Sequence, residues 1–133
     1  MPDWTWSTTI NKGDDVVIFD LDGVISDASH RQHYLQGKEK DWNGFFSACT
    51  EDPPIISGIK LISLLRKSHK TIILTARPYS IQSETIDWLK KYEVVWDALI
   101  MRSNDDHQQS PKMKLAALNQ IRDAGYIPIL AFD

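Results

Sequence analysis

Four short apolar runs recur along the chain without polar interruption: VVIF at 16–19, TIILT at 71–75, ALIM at 98–101 and IPILAF at 127–132. A strand with one wet face alternates apolar and polar residues, whereas a continuous run needs apolar cover on both faces. Between the runs lie stretches with helical spacing. Ile59, Ile62 and Leu65 form one stripe, with Leu61 and Leu64 beside it. Ile81, Thr85, Trp88, Leu89 and Tyr92 form a second, and Met113, Ala117, Ile121 and Ala124 a third that ends at Gly125. Ser110-Pro111 reads as N-cap and first residue of that last helix. Continuous strands alternating with amphipathic helices predict an α/β fold, a three-layer α/β/α Rossmann-like parallel sheet. Residues 24–54, polar and aromatic and closed by Pro53-Pro54, read as a small flap or cap inserted after the first strand. Residues 1–13 read as an N-terminal arm and 14–133 as the core domain.

Composition excludes several function classes. One Cys rules out a disulfide framework and a Cys-based zinc site. No apolar run reaches the ~18–20 residues of a membrane span, and MPDWTWSTT lacks a basic-then-apolar leader, so a cytoplasmic location is expected. A net charge of −3 argues against a broad surface for duplex DNA, though not against a local phosphate pocket. The four His show no metal-ligand spacing: His30 and His33 line the entrance or are exposed, and His69 lies at the wrong edge for chemistry. Cys49 has no base partner and reads as partly buried and inert. Neither G-x-x-x-x-G-K-[ST] nor G-x-G-x-x-G occurs, so nothing supports a P-loop kinase or a dinucleotide-binding dehydrogenase.

Open α/β sheets bind ligands beyond the carboxyl ends of their strands. The first run ends in Asp20-Leu21-Asp22-Gly23, the second in Thr75-Ala76-Arg77, the third in Arg102-Ser103-Asn104 and the fourth in Asp133. At i, i+2 on an extended chain Asp20 and Asp22 point to the same side. Two such carboxylates repel, so one is driven neutral or a cation sits between them. Mg²⁺ fits, taking oxygen ligands from one or two carboxylates plus substrate phosphate. Asp20 then stays ionised as a nucleophile and Asp22 serves as acid, then base. Gly23 clears space for backbone N–H groups to face an anion. Thr75 suits a hydrogen bond to a phosphate oxygen, and Arg77 offers a planar fork matched to phosphate. Lys112 and Lys114 lie near the start of the last helix, where either is a solvated Lys or a fixed positive charge at the strand ends.

These residues resemble a known family. VVIFDLDGVI is similar to the first motif of the haloacid dehalogenase (HAD) superfamily, TIILTAR to its second, Lys114 (or Lys112) to its third and ILAFD to the start of its fourth, in the family's order. The resemblance implies that Asp20 forms an aspartyl-phosphate and that Asp22 protonates the leaving oxygen. It implies that Thr75 and Lys114 hold the phosphoryl oxygens, with Gly23, Ala76, Arg77, Arg102 and Lys112 as further phosphate contacts. It also implies Mg²⁺ bound by Asp20, Asp22 and Asp133. An acid at position 22 favours a phosphatase over a dehalogenase. The second-motif region and the small insert resemble the phosphatase domain of phage-type polynucleotide kinases, which implies a nucleotide or a nucleic-acid 3′-phosphate as substrate. In the family a second acid, a helix and a fifth strand follow the fourth motif. The expectation is therefore a natural chain that continues past Asp133, its fourth strand exposing an apolar edge here. A non-catalytic phosphate-binding or interaction domain of the same fold remains the alternative. A receiver-type signalling domain ranks last, because its acceptor Asp lies on a middle strand.

Overall fold

The computed structural model describes residues 1–133. It contains one five-stranded sheet: β1 (Asp3–Trp6), β2 (Asp15–Phe19), β3 (Lys70–Pro78), β4 (Ala98–Arg102) and β5 (Ile127–Phe132), in the order β1-β4-β3-β2-β5. Its helices are α1 (Trp42–Ser47), α2 (Ile56–Arg66), α3 (Gln82–Lys91) and α4 (Ser110–Asp123), with short 3₁₀ turns at Ser29–Leu35, Ala48–Glu51 and Tyr79–Ile81. The four expected strands pair in parallel with one another. The fifth comes from the expected arm. Asp3–Trp6 pairs antiparallel with β4, Asp3 opposite Met101 and Trp6 opposite Ala98. Trp4 and Trp6, two residues apart on a strand, share a face and stack at 5.1 Å. Trp4 also donates from Nε1 to Gln120 Oε1 on α4 at 2.7 Å. This added strand covers one edge of the sheet.

The apolar runs of β2, β3 and β4 are buried on both faces. Val17, Phe19, Ile73, Leu99 and Met101 pack with Ile62 of α2 and Trp88 and Leu89 of α3. The residues between them, Val16, Ile18, Ile72, Leu74, Ala98 and Ile100, pack with Met113, Ala117 and Ile121 of α4. The period of two divides each strand between two cores, giving three layers. β5 lies outside β2 with Ile127, Ile129 and Leu130 exposed, and a bulge between Val16 and Val17 interrupts its pairing. The start of α4 shifts by one residue: Gln109 is the N-cap, with no side-chain cap bond, and Pro111 sits in the first turn.

The insert after β2 begins with a tight turn. Leu21 O accepts from the N–H groups of Val24, Ile25 and Ser26, so the chain turns at once after the acidic pair. Ser26 forms isolated bridges with Asp22 and Pro54. α2 starts directly against this turn. A Cβ at Gly58 would fall 1.7 Å from Val24 O, so only Gly permits the contact. No helix is long and apolar enough to cross a membrane.

Candidate active site

Strand order reverses at β2: β3 and β4 lie on one side of it and β5 on the other. Such a switch point opens a crevice at the carboxyl ends of the strands. Phe19 and Phe132 are partners in register, so Asp20 and Asp133 leave the sheet side by side. Asp20 N–H donates to Phe132 O at 2.8 Å, and Asp20 Oδ1 accepts from Leu21 N–H at 2.8 Å. Lys114, on the α4 face, donates from Nζ to Asp20 Oδ2 at 2.9 Å and to Asp133 Oδ1 at 3.3 Å.

Burial pushes the Asp20 carboxyl up to about 6, and a hydrogen bond shared with Asp133 pushes in the same direction against the pull of Lys114. That hydrogen bond and Lys114 hold Asp133 below the ordinary carboxylate range. The two carboxyls crowd one another, and the more buried Asp20 is the one pushed up. Burial lowers the Lys114 ammonium, but the bond and charge of Asp20 outweigh it and leave the ammonium raised. This donor set fits a small hard cation. Two ionised carboxylates carry more negative charge than the one lysine between them offsets, and Mg²⁺ takes one or two carboxylates, with waters and substrate filling its shell. No group of three or more His, Cys, Asp or Glu side chains arranged to hold a metal ion occurs anywhere in the chain, so the protein offers a cation at this site two carboxylates.

Asp22 does not share this environment, contrary to its expected position beside Asp20. β2 ends at Phe19, and the turn through Gly23, at φ +88°, swings Asp22 toward the insert. There Asp22 Oδ1 accepts from Arg77 Nη2 at 2.6 Å and Arg31 Nη2 at 2.8 Å. Its Oδ2 has one long contact, with Arg77 Nε at 3.2 Å. Behind Asp22 lies Asp52, its carboxylate fully buried. Arg31 grips it from Nε and Nη2, both at 2.8 Å. Ser26 Oγ donates to it at 2.6 Å, and His30 Nε2 lies 2.6 Å from it. Burial raises the Asp52 carboxyl, but the bonds from Arg31, Ser26 and His30 outweigh burial and hold it below its ordinary value.

The remaining expected contacts divide. Thr75 is buried at the site, its Oγ1 accepting from Arg77 N–H at 3.2 Å. Pairing of β3 with β4 breaks between Leu74 and Pro78, and this bulge re-aims Thr75, Ala76 and Arg77. Arg77 is not a free phosphate fork: its guanidinium is buried among Asp22, Asp52, Ser26 and Thr85. Arg102 is a loop staple, donating to the carbonyls of Ala76, Asp106 and Gln108. Lys112 is exposed and makes no ion pair; Lys114 is the lysine at Asp20. Cys49 is fully buried, which pushes its thiol up and away from reactivity. Arg31, Asp52, Ser26 and Thr85 were not expected. Their partners lie 8 to 51 residues away in sequence, and no short motif signals such pairs.

A model of the polynucleotide kinase PNKP phosphatase domain matches residues 14–133. The chain belongs to this family. It is therefore a HAD-type phosphatase domain by descent, as the motif order implied. No curated protein matches the chain. Two solved structures share the fold of this PNKP-type domain. A chain in the structure of the Pnkp1/Rnl/Hen1 RNA repair complex matches with a TM-score of 0.76 at 20% identity, covering 97% of this chain and 39% of that one. A chain of a Pnkp1/Rnl/Hen1 complex matches with a TM-score of 0.74 at 19% identity, covering 96% and 41%. This chain spans about two-fifths of the length of those chains.

Proposed function

We propose that this domain hydrolyses a phosphomonoester through an aspartyl-phosphate on Asp20, and that its substrate is the 3′-phosphate of a nucleic-acid end. The observation that carries the reading is Asp20 itself, at the switch point of the sheet with Lys114 Nζ 2.9 Å from Oδ2 and Asp133 alongside. An Asp20 oxygen attacks phosphorus, the P–O bond to the leaving group breaks, and Asp22 delivers a proton to the departing oxygen. Asp22 Oδ2, with only its long contact to Arg77, is the oxygen left to carry that proton. Water then attacks the phosphoaspartate, Asp22 takes the proton, and phosphate leaves. Lys114 and the Thr75 hydroxyl hold the phosphoryl oxygens as charge shifts onto them. Asp20 and Asp133 would hold Mg²⁺, which when bound would offset the negative charge of nucleophile and phosphate. The substrate follows the RNA repair complex named for the structural neighbour, which contains a domain of this fold.

The test is release of phosphate from 3′-phosphorylated and 5′-phosphorylated oligonucleotides with Mg²⁺. Preference for the 3′ end is expected. Asp20→Asn should lower turnover on the order of a thousandfold or more with an unchanged circular dichroism spectrum. Full activity in Asp20→Asn or in excess chelator overturns the mechanism. Binding of the oligonucleotide by the native chain without turnover would make it a non-catalytic binding domain.

A further inference from the structure

Behind Asp22, one member of the network reaches solvent. Asp52 is 1% exposed, and Arg31 and Arg77 are as deeply buried, whereas the His30 side chain is 36% exposed. His30 and Arg31 are consecutive residues of the 3₁₀ turn Ser29–Leu35, in which neighbours point about 120° apart. Both nonetheless end on one carboxylate oxygen: His30 Nε2 lies 2.6 Å from Asp52 Oδ1, and Arg31 Nε lies 2.8 Å from it. The other contacts of Asp52, from Ser26 Oγ, Arg31 Nη2 and Arg77 Nη2, fall on Oδ2. Asp52 is held below its ordinary value, so as a carboxylate it only accepts, and His30 Nε2 carries the hydrogen it donates.

From Asp52 the contacts continue to the acid. Arg31 Nη2 divides between Asp52 Oδ2 and Asp22 Oδ1, each at 2.8 Å. Arg77 Nη2 divides between the same two oxygens, at 3.2 and 2.6 Å. The tilt of the Asp52 carboxylate therefore sets where two guanidiniums stand, and these hold Asp22 Oδ1 and leave Oδ2 to carry a proton. Asp52 Oδ1 is the lever for that tilt, gripped by His30 from one side and by Arg31 from the other. Without His30, water reaches the vacated place and satisfies the oxygen, but it does not fix the angle.

We propose that His30 is a positioning residue for the acid step, its Nε2–H holding Asp52 so that Arg31 and Arg77 present Asp22 Oδ2 to the leaving oxygen. The proposal rests on the reading of Asp20 as nucleophile and Asp22 as acid. It ties His30 to one class of substrate. When the P–O bond breaks, its electron pair stays on the leaving oxygen. A sugar hydroxyl leaves as a strongly basic alkoxide and needs the Asp22 proton as it departs. A p-nitrophenolate is stable as an anion near neutral pH and does not. A displaced acid is therefore felt on a sugar phosphate far more than on p-nitrophenyl phosphate.

The test compares kcat of the full chain, with Mg²⁺, on a 3′-phosphorylated oligonucleotide and on p-nitrophenyl phosphate. The variants are His30→Ala, His30→Phe and His30→Gln. Ala removes the ring, Phe keeps a flat ring without the donor, and Gln returns an N–H donor. His30→Ala and His30→Phe should lower kcat on the oligonucleotide on the order of tenfold, a part of what a general acid supplies, and on p-nitrophenyl phosphate by less than about threefold. His30→Gln should recover most of the loss. Equal losses on the two substrates overturn the proposal, since His30 would then only support the fold. So does an unmoved kcat on the oligonucleotide, or recovery by Phe and not by Gln. A native chain that turns over neither substrate defeats the reading of Asp20 itself and removes the acid step with it.

Discussion

Asp20 and Asp22 are two residues apart, yet they sit in opposite kinds of surroundings. Asp20 faces α4 and lies beside Asp133 with one lysine between them, a cluster with two carboxylates against a single positive charge. Asp22 faces the insert, where two buried guanidiniums, Arg31 and Arg77, meet Asp22 and Asp52 in a closed network. The first cluster is unbalanced electrostatically, which is what the proposed cation would offset. The second is complete, and it fixes an acid in place. The insert therefore does more than cover the site, since Arg31 and Asp52 both come from it.

The contrast predicts opposite costs for removing a carboxylate charge. Asp52→Asn leaves Arg31 and Arg77 buried with Asp22 as their only carboxylate partner, and should destabilise the domain by about 3–5 kcal/mol. Asp20→Asn removes one of two crowded carboxyls and should leave the melting temperature level or higher. Thermal unfolding by circular dichroism compares the two. Equal losses would erase the distinction between an unbalanced and a complete cluster.

Arg31→Lys sharpens it further. Arg31 Nη2 meets both Asp22 Oδ1 and Asp52 Oδ2 while Nε meets Asp52 Oδ1. One ammonium cannot span these atoms, so the substitution should cost about 2 kcal/mol despite the conserved charge. It should also lower kcat, because Asp22 loses one of its two anchors. A chemical denaturation midpoint equal to the native value would mean that only charge matters there.

Acid separates the clusters as well. Asp52 sits below its ordinary value in the folded chain, with burial opposed and outweighed by Arg31, Ser26 and His30. A carboxyl depressed by folding stabilises the fold above its unfolded value, near pH 4, and this contribution is lost as pH falls through the folded value. Asp97 behaves alike at the far end of the sheet: bonds from Thr8, Thr71 N–H and Arg66 overcome its burial. Urea midpoints should therefore fall below about pH 4, and less steeply in Asp52→Asn than in the native chain. An identical slope would remove Asp52 from the acid limb.

These same two regions mark how far sequence reading reached. The four parallel strands and the Asp20 and Thr75 positions were legible because continuous apolar runs end in polar residues at one edge, whereas Lys114, on α4, was favoured only through the family resemblance, with Lys112 open beside it. The Asp20–Asp22 spacing misled, since i, i+2 geometry holds only while the strand lasts, and β2 stops at Phe19. Arg77 read as a phosphate fork because its partner Asp52 lies in a Pro-rich turn, 25 residues earlier, where an acid has no periodic neighbour to betray burial. The edge strand Asp3–Trp6 was missed because four residues beside polar flanks carry too little pattern, and only Trp4 and Trp6 hinted at a shared face.

The smallest expected effect is at Lys112, and helix geometry explains why. Lys112 and Lys114 are two residues apart on α4, hence about 200° apart around its axis. With Met113 buried in the core between them, one ammonium reaches the strand ends and the other turns to water. Lys112→Ala should change stability by less than about 0.5 kcal/mol and kcat/KM by less than about twofold. Lys114→Ala should lower kcat/KM on the order of a hundredfold, as expected when a fixed charge is taken from developing phosphoryl charge. Comparable losses at both positions would mean that α4 supplies a diffuse positive field instead of a single contact. Raising the salt concentration distinguishes the two, because a field from an exposed Lys112 is screened within about 10 Å at 0.1 M, and the partly buried contact of Lys114 is not.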